Sequence, residues 1–93
     1  MKYKLKYTNQ FKKDYKLDVK QGKNTEKLFE VIEKLSNGEK LEEKYRDHEL
    51  SGKFKGTREC HIEPDWLLVY EQIDDVLVLM LYGLGSHAYL FKK

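Results

Sequence analysis

With 93 residues, 40% hydrophobic and 13% aromatic, the chain is sized for one small domain spanning 1–93 with a single modest core. It holds no run of about 18 apolar residues and no charged-then-apolar leader, and its lone cysteine, Cys60, rules out an intrachain disulfide and a Cys-based zinc site; the expectation is a non-membrane protein of the reducing cytoplasm. The net charge of +2 conceals a basic half, since residues 1–46 hold 13 Lys/Arg against 8 Asp/Glu and residues 47–93 hold 5 against 8, an asymmetry that suits either an anionic partner or a solvated lysine face.

Tyr3, Leu5 and Tyr7 alternate with Lys2, Lys4 and Lys6, the pattern of a half-buried strand whose outer side is guarded by charge. Thr8 or Asn9 can cap a helix over about 9–21, with Phe11, Tyr15 and Val19 as its apolar face and Gly22 as its stop. Lys12, Lys16, Lys20 and Lys23 form a cationic stripe along that helix, able to track phosphates or simply to face water. A second helix opens at Asn24 or Thr25, where Leu28, Val31, Ile32 and Leu35 fit the i, i+3, i+4, i+7 template, and it ends at Asn37-Gly38.

Residues 39–56 read as a long charged loop with a short turn around Leu41–Tyr45, and that loop carries His48. Strands follow over about 57–62, 66–73 and 76–82, the last two joined by Asp74-Asp75. Arg58, Cys60 and Ile62 share one face by alternation and Glu59, His61 and Glu63 the other, until Pro64 stops the ladder. The run from Val76 to Leu81 is apolar on both sides and predicts a strand covered on both faces. Gly83-Leu84-Gly85-Ser86 should break it and deliver His87 on a bend before a short extended segment over 88–91. The order gives an α+β fold, with two N-terminal helices on one face of a largely antiparallel sheet of four or five strands.

Three histidines, at 48, 61 and 87, fall in a loop, at a strand end and on a bend, with Asp65 near by. Imidazoles there can remove and donate protons near neutrality. Their gaps of 13 and 26 residues match no short metal-ligand motif, so no metal or other cofactor is expected. A Cys60–His61 nucleophilic pair is disfavoured because neighbouring strand residues face opposite ways, which leaves Cys60 packed in the core. Trp66 reads either as core or as a surface on which a base could stack, an ambiguity shared with Phe91 and several tyrosines.

The stretch Asp47-His48-Glu49-Leu50-Ser51-Gly52, the block Arg58-Glu59-Cys60-His61-Ile62-Glu63-Pro64-Asp65-Trp66 and the run Gly85-Ser86-His87-Ala88-Tyr89-Leu90-Phe91 together resemble the YafQ branch of the RelE/ParE toxin superfamily. Phe11-Lys12-Lys13-Asp14 is similar to that family's first helix. The resemblance implies a RelE-like toxin of a type II toxin–antitoxin system, a metal-independent endoribonuclease that cuts messenger RNA on the ribosome and is silenced in a hetero-oligomer with its cognate antitoxin. It places the functional positions on His48, His61, Asp65, Trp66, His87 and Phe91. His87 would be the general acid, His48 or Asp65 the general base, and His61 a stabiliser of the phosphate, with Trp66 and Phe91 orienting the nucleotide and the lysines binding ribosomal RNA. Where many relatives carry an arginine four residues before the last histidine, this chain has Gly83, so Arg58, Lys53 or Lys55 must hold the scissile phosphate or cleavage is weak. The competing expectations are a RelE-like module that binds RNA or protein without cutting and, last, a gyrase-directed toxin.

Overall fold

A computed structural model describes residues 1–91. In chain order it holds β1 (Lys4–Tyr7), α1 (Asn9–Lys20), α2 (Thr25–Ser36), a 3-10 turn at Glu43–Tyr45, β2 (His48–Glu49), a second 3-10 turn at Gly52–Phe54, β3 (Arg58–Glu63), β4 (Trp66–Ile73), β5 (Val78–Gly85) and α3 (His87–Leu90). The strands form one sheet in the order β1-β5-β4-β3-β2, antiparallel except for the β1–β5 pair.

Both long helices start on the caps that the sequence offers. Thr8 accepts from the Phe11 amide, and Asn24 accepts from Glu26 and Lys27. From α2, Leu28, Val31, Ile32 and Leu35 enter the core, where they meet Cys60, Ile62, Trp66, Leu68, Tyr70, Leu79, Leu81 and Leu84. Along β4, Trp66, Leu68 and Tyr70 thus face the helices, while Leu67 and Val69 are buried on the opposite face.

β1 pairs with β5 only from Val78 to Leu81, so the next residues of β5 lack a strand on that side. Side chains of α1 and its cap take that place: Thr8 Oγ1 donates to the Tyr82 carbonyl at 2.9 Å, and the Leu84 amide donates to Asp14 Oδ2 at 3.0 Å. A bulge between Val69 and Tyr70 leaves Tyr82 as the extra residue of β5, which turns Leu84 toward the helices and sets Gly83 opposite Val69.

Several expectations need correction. The inward face of α1 is Phe11, Asp14 and Asp18, with Val19 at 47% exposure, because the two carboxylates find donors in the interior and so occupy the side that apolar spacing alone assigned to valine. Tyr3 is buried, but Leu5 and Tyr7 are exposed on a strand at the edge of the sheet. The 39–56 loop is broken by two 3-10 turns and contains the two-residue strand β2. β5 begins at Val78 after exposed Val76 and Leu77, and it runs through Gly85 instead of breaking at Gly83. Residues 87–90 form a helical turn, capped by the Ser86 side chain accepting from the Tyr89 amide.

Candidate active site

Strand register collects the chemistry on the sheet face away from α1 and α2. His48 pairs with Glu59, Glu59 with Val69 and Val69 with Gly83, forming one cross-strand row. A neighbouring row joins His61, Leu67 and Gly85, two residues before His87. Adjacent strands lie about 4.8 Å apart, so the row from His48 to Gly83 spans about 14 Å.

Glu59 is the residue that the sequence reading missed. Its carboxylate is 4% exposed, and Oε1 stands 3.4 Å from His61 Nε2 and 3.8 Å from His48 Nε2. Both rings are fixed from behind: His48 Nδ1 lies 2.8 Å from the Arg46 carbonyl and His61 Nδ1 3.1 Å from the Pro64 carbonyl. A carbonyl only accepts, which places a proton on each Nδ1 and turns each Nε2 toward the shared carboxylate. Arg46 can aim its carbonyl this way because it adopts the left-handed conformation, φ 49 and ψ 42, at the end of its 3-10 turn.

Asp47 fixes the start of β2 from the other side of the sheet. Its Oδ1 accepts from Tyr70 Oη at 2.6 Å and from Arg58 Nε at 3.3 Å. Burial works against the Arg58 charge, but Asp47 more than offsets it and the guanidinium pKa is raised. Burial, and then Asp47, push the Tyr70 phenol far above its usual range, so it remains a donor. The Nε of Arg58 is thus engaged by Asp47. Burial likewise raises the Cys60 thiol well beyond reactivity, in keeping with a packed side chain.

His87 begins α3, exposed to solvent, and its amide donates to Asp65 Oδ1 at 3.1 Å. Its ring lies 5.0 Å from that of Phe91, which meets Phe54 edge-on at 5.2 Å. Lys53, Phe54, Lys55, Val69, Gly83 and Phe91 share one groove, with Lys53 Nζ 5.4 Å from the Phe54 ring.

Trp66 does not offer a stacking surface. It is 1% exposed, its Nε1 donates to Asp18 Oδ2 at 2.7 Å, and it supports the site from below. Lys12, Lys16 and Lys20 are exposed on α1, across the sheet from the histidines, whereas Lys23 turns toward Trp66 at 6.0 Å from its ring. Among the described residues, no three His, Cys, Asp or Glu side chains converge closely enough to hold a metal ion.

Residues 3–92 match the family described as the bacterial toxin of type II toxin–antitoxin system, YafQ. The chain belongs to the YafQ toxin family. It is 40% identical over 88 residues to the mRNA interferase toxin YafQ of Escherichia coli K12, an alignment covering 94% of each chain. Its fold matches that of a metal-bound toxin from Helicobacter pylori with a TM-score of 0.91, at 40% identity over 96% of this chain and 99% of the other. It also matches the toxin in the E. coli DinJ–YafQ complex with a TM-score of 0.87, at 39% identity over 96% and 98%. No helix among the described residues is long and apolar enough to cross a membrane.

Proposed function

We propose that this face cleaves messenger RNA on the ribosome, without a metal, by attack of a ribose 2′-OH on the adjacent phosphate. The supporting observation is the buried Glu59 carboxylate between two imidazoles whose Nδ1 atoms are both held by backbone carbonyls. The reaction needs a base for the hydroxyl proton, positive N–H groups for the crowded phosphate and an acid for the departing 5′-oxygen.

His48, half exposed, receives the 2′-OH proton at Nε2. His61, nearer to Glu59 and mostly covered, stabilises the crowded phosphate through its imidazole charge. His87 protonates the 5′-oxygen, leaving a 2′,3′-cyclic phosphate on one fragment and a 5′-OH on the other. Asp65, the alternative base, already accepts the His87 amide and is better placed to hold the acid than to act as the base. Phe91 and Phe54 orient the nucleotide, and Lys53 and Lys55 meet the phosphate near Gly83. Lys12, Lys16 and Lys20 contact ribosomal RNA, with Lys23 beside them. The toxin works in the cytoplasm and is kept silent in a hetero-oligomer with its cognate antitoxin. Gly83 itself favours the second reading, a catalytically weak RelE-like binding module.

The test is parallel induction of wild type and His87→Ala in cells lacking the antitoxin, with mapping of new messenger RNA ends against the reading frame. Frame-locked cuts with cyclic-phosphate termini, seen only with wild type, are expected. Cuts at naked RNA sites, or ends bearing a 3′-OH, would remove ribosome dependence or the 2′-OH route respectively. Growth arrest without any new ends would move the reading to the binding module or the gyrase-directed toxin.

A further inference from the structure

α3 is a single turn, too short to hold its own direction, so the aim of His87 depends on what grips the turn. One grip is at its first residue, where Asp65 accepts the His87 amide. Another is at its third. Tyr89 Oη donates to Asp14 Oδ1 at 2.6 Å, and the Tyr89 amide bonds the Ser86 side chain.

Asp14 is 1% exposed, on the inward face of α1. Besides Tyr89 it accepts from Gln10 Nε2 at 2.9 Å and, through Oδ2, from the unpaired edge of β5 at Leu84. One carboxylate thus joins α1, β5 and α3. The Tyr89 ring is gripped as well: a Cβ at Gly85, whose φ is +155, would stand 2.6 Å from Tyr89 Cδ2, so the ring lies directly on the glycine backbone. The bond to Asp14 is the first cause of a raised Tyr89 pKa, which keeps the phenol a donor.

We infer that Asp14 is a positioning residue for His87, acting through Tyr89: the Asp14–Tyr89 bond, with the Asp65–His87 bond, fixes α3 and hence the direction of the imidazole. The inference rests on the proposed role of His87 as the acid. With the Tyr89 anchor released, α3 pivots on its Asp65 end and the ring leaves its line to the departing oxygen.

Tyr89→Phe removes only the hydroxyl and leaves the ring on Gly85. Its kcat for cleavage of ribosome-bound messenger RNA should fall about tenfold, with KM within about twofold of wild type, as misplacement of a reacting group predicts. Asp14→Asn should behave likewise. By NMR the His87 Cε1–H signal should shift or broaden in Tyr89→Phe while those of His48 and His61 stay in place. A wild-type kcat or an unmoved His87 signal would overturn the inference. Absence of cleavage by the wild type would instead defeat the nuclease reading, and with it the premise that His87 needs aiming.

Discussion

The indole N–H of Trp66 donates to the buried carboxylate of Asp18 at 2.7 Å, joining the first residue of β4 to the last inward turn of α1. Burial is the leading cause of a raised Asp18 pKa, with Trp66 pulling the other way, Asp14 raising it further and Lys23 lowering it. The native state therefore holds the Asp18 proton more tightly than the unfolded chain does. Its contribution to stability is fully present below the unfolded value near 3.8 and is lost as pH rises through the raised native value. Asp18→Asn keeps an oxygen for the indole and abolishes this titration. In urea unfolding from pH 4 to 7, the stability of wild type relative to Asp18→Asn should decline as pH rises; a parallel pair of curves would contradict the assignment.

Trp66→Phe leaves Asp18 buried without its indole donor, and the unsatisfied carboxylate should cost about 1–3 kcal/mol of stability. Because Trp66 is a core residue, cleavage per folded molecule should fall far less than in His87→Ala. Denaturant unfolding beside single-turnover cleavage checks both halves, and a large rate loss with unchanged stability would return Trp66 to the nucleotide.

Glu59→Gln is nearly isosteric but cannot hold two imidazoles by charge. Cleavage should drop about 10- to 100-fold, the scale on which shells supporting a site act. Antitoxin binding and thermal stability should change little, since both histidines keep their carbonyl partners. Single-turnover cleavage is the measurement, and wild-type rates in Glu59→Gln would remove the carboxylate from the mechanism.

What the sequence made legible was whatever depends on regular spacing: the α2 stripe, the alternation that buries Cys60 and Ile62, and the capping of α1 by Thr8. The family blocks pointed to the histidines and Asp65, and the fold sets His48, Glu59 and His61 on one sheet face. Glu59 was one acidic residue among 16, and its meaning comes from the two-residue β2 that brings His48 opposite it. Asp14 and Asp18 misled the reading of α1, because a buried carboxylate is sensible only once Leu84, Tyr89 and Trp66 are known to donate to it. The Ser86 cap was a local signal for α3, hidden by the glycines before it.

Lys53 and Lys55 are exposed beside Phe54 and Phe91. Replacing both by alanine should weaken substrate binding and flatten its dependence on salt by about one to two in the logarithmic slope, as expected when two phosphate contacts are lost. Binding titrations at several salt concentrations on RNA-programmed ribosomes test this. An unchanged slope would assign the phosphate to other cations.

Gly83 lies in the row of His48 and Glu59, separated from Glu59 by Val69. A Cβ there would approach Leu90 Cδ2 at 3.2 Å and Asp14 Oδ2 at 3.5 Å, and the leucine contact is the end of a movable side chain. Arginine at this position can therefore enter the Lys53–Lys55–Phe91 groove at a modest packing cost, about 1 kcal/mol. Its planar fork offers paired N–H groups to a phosphate, which two mobile ammonium groups match poorly. Gly83→Arg should thus raise kcat about tenfold while lowering the unfolding midpoint slightly. Single-turnover cleavage beside thermal unfolding separates the two effects. A more stable but no faster enzyme would mean that Lys53 and Lys55 already supply the charge the phosphate needs, and that the arginine merely pairs with Asp14.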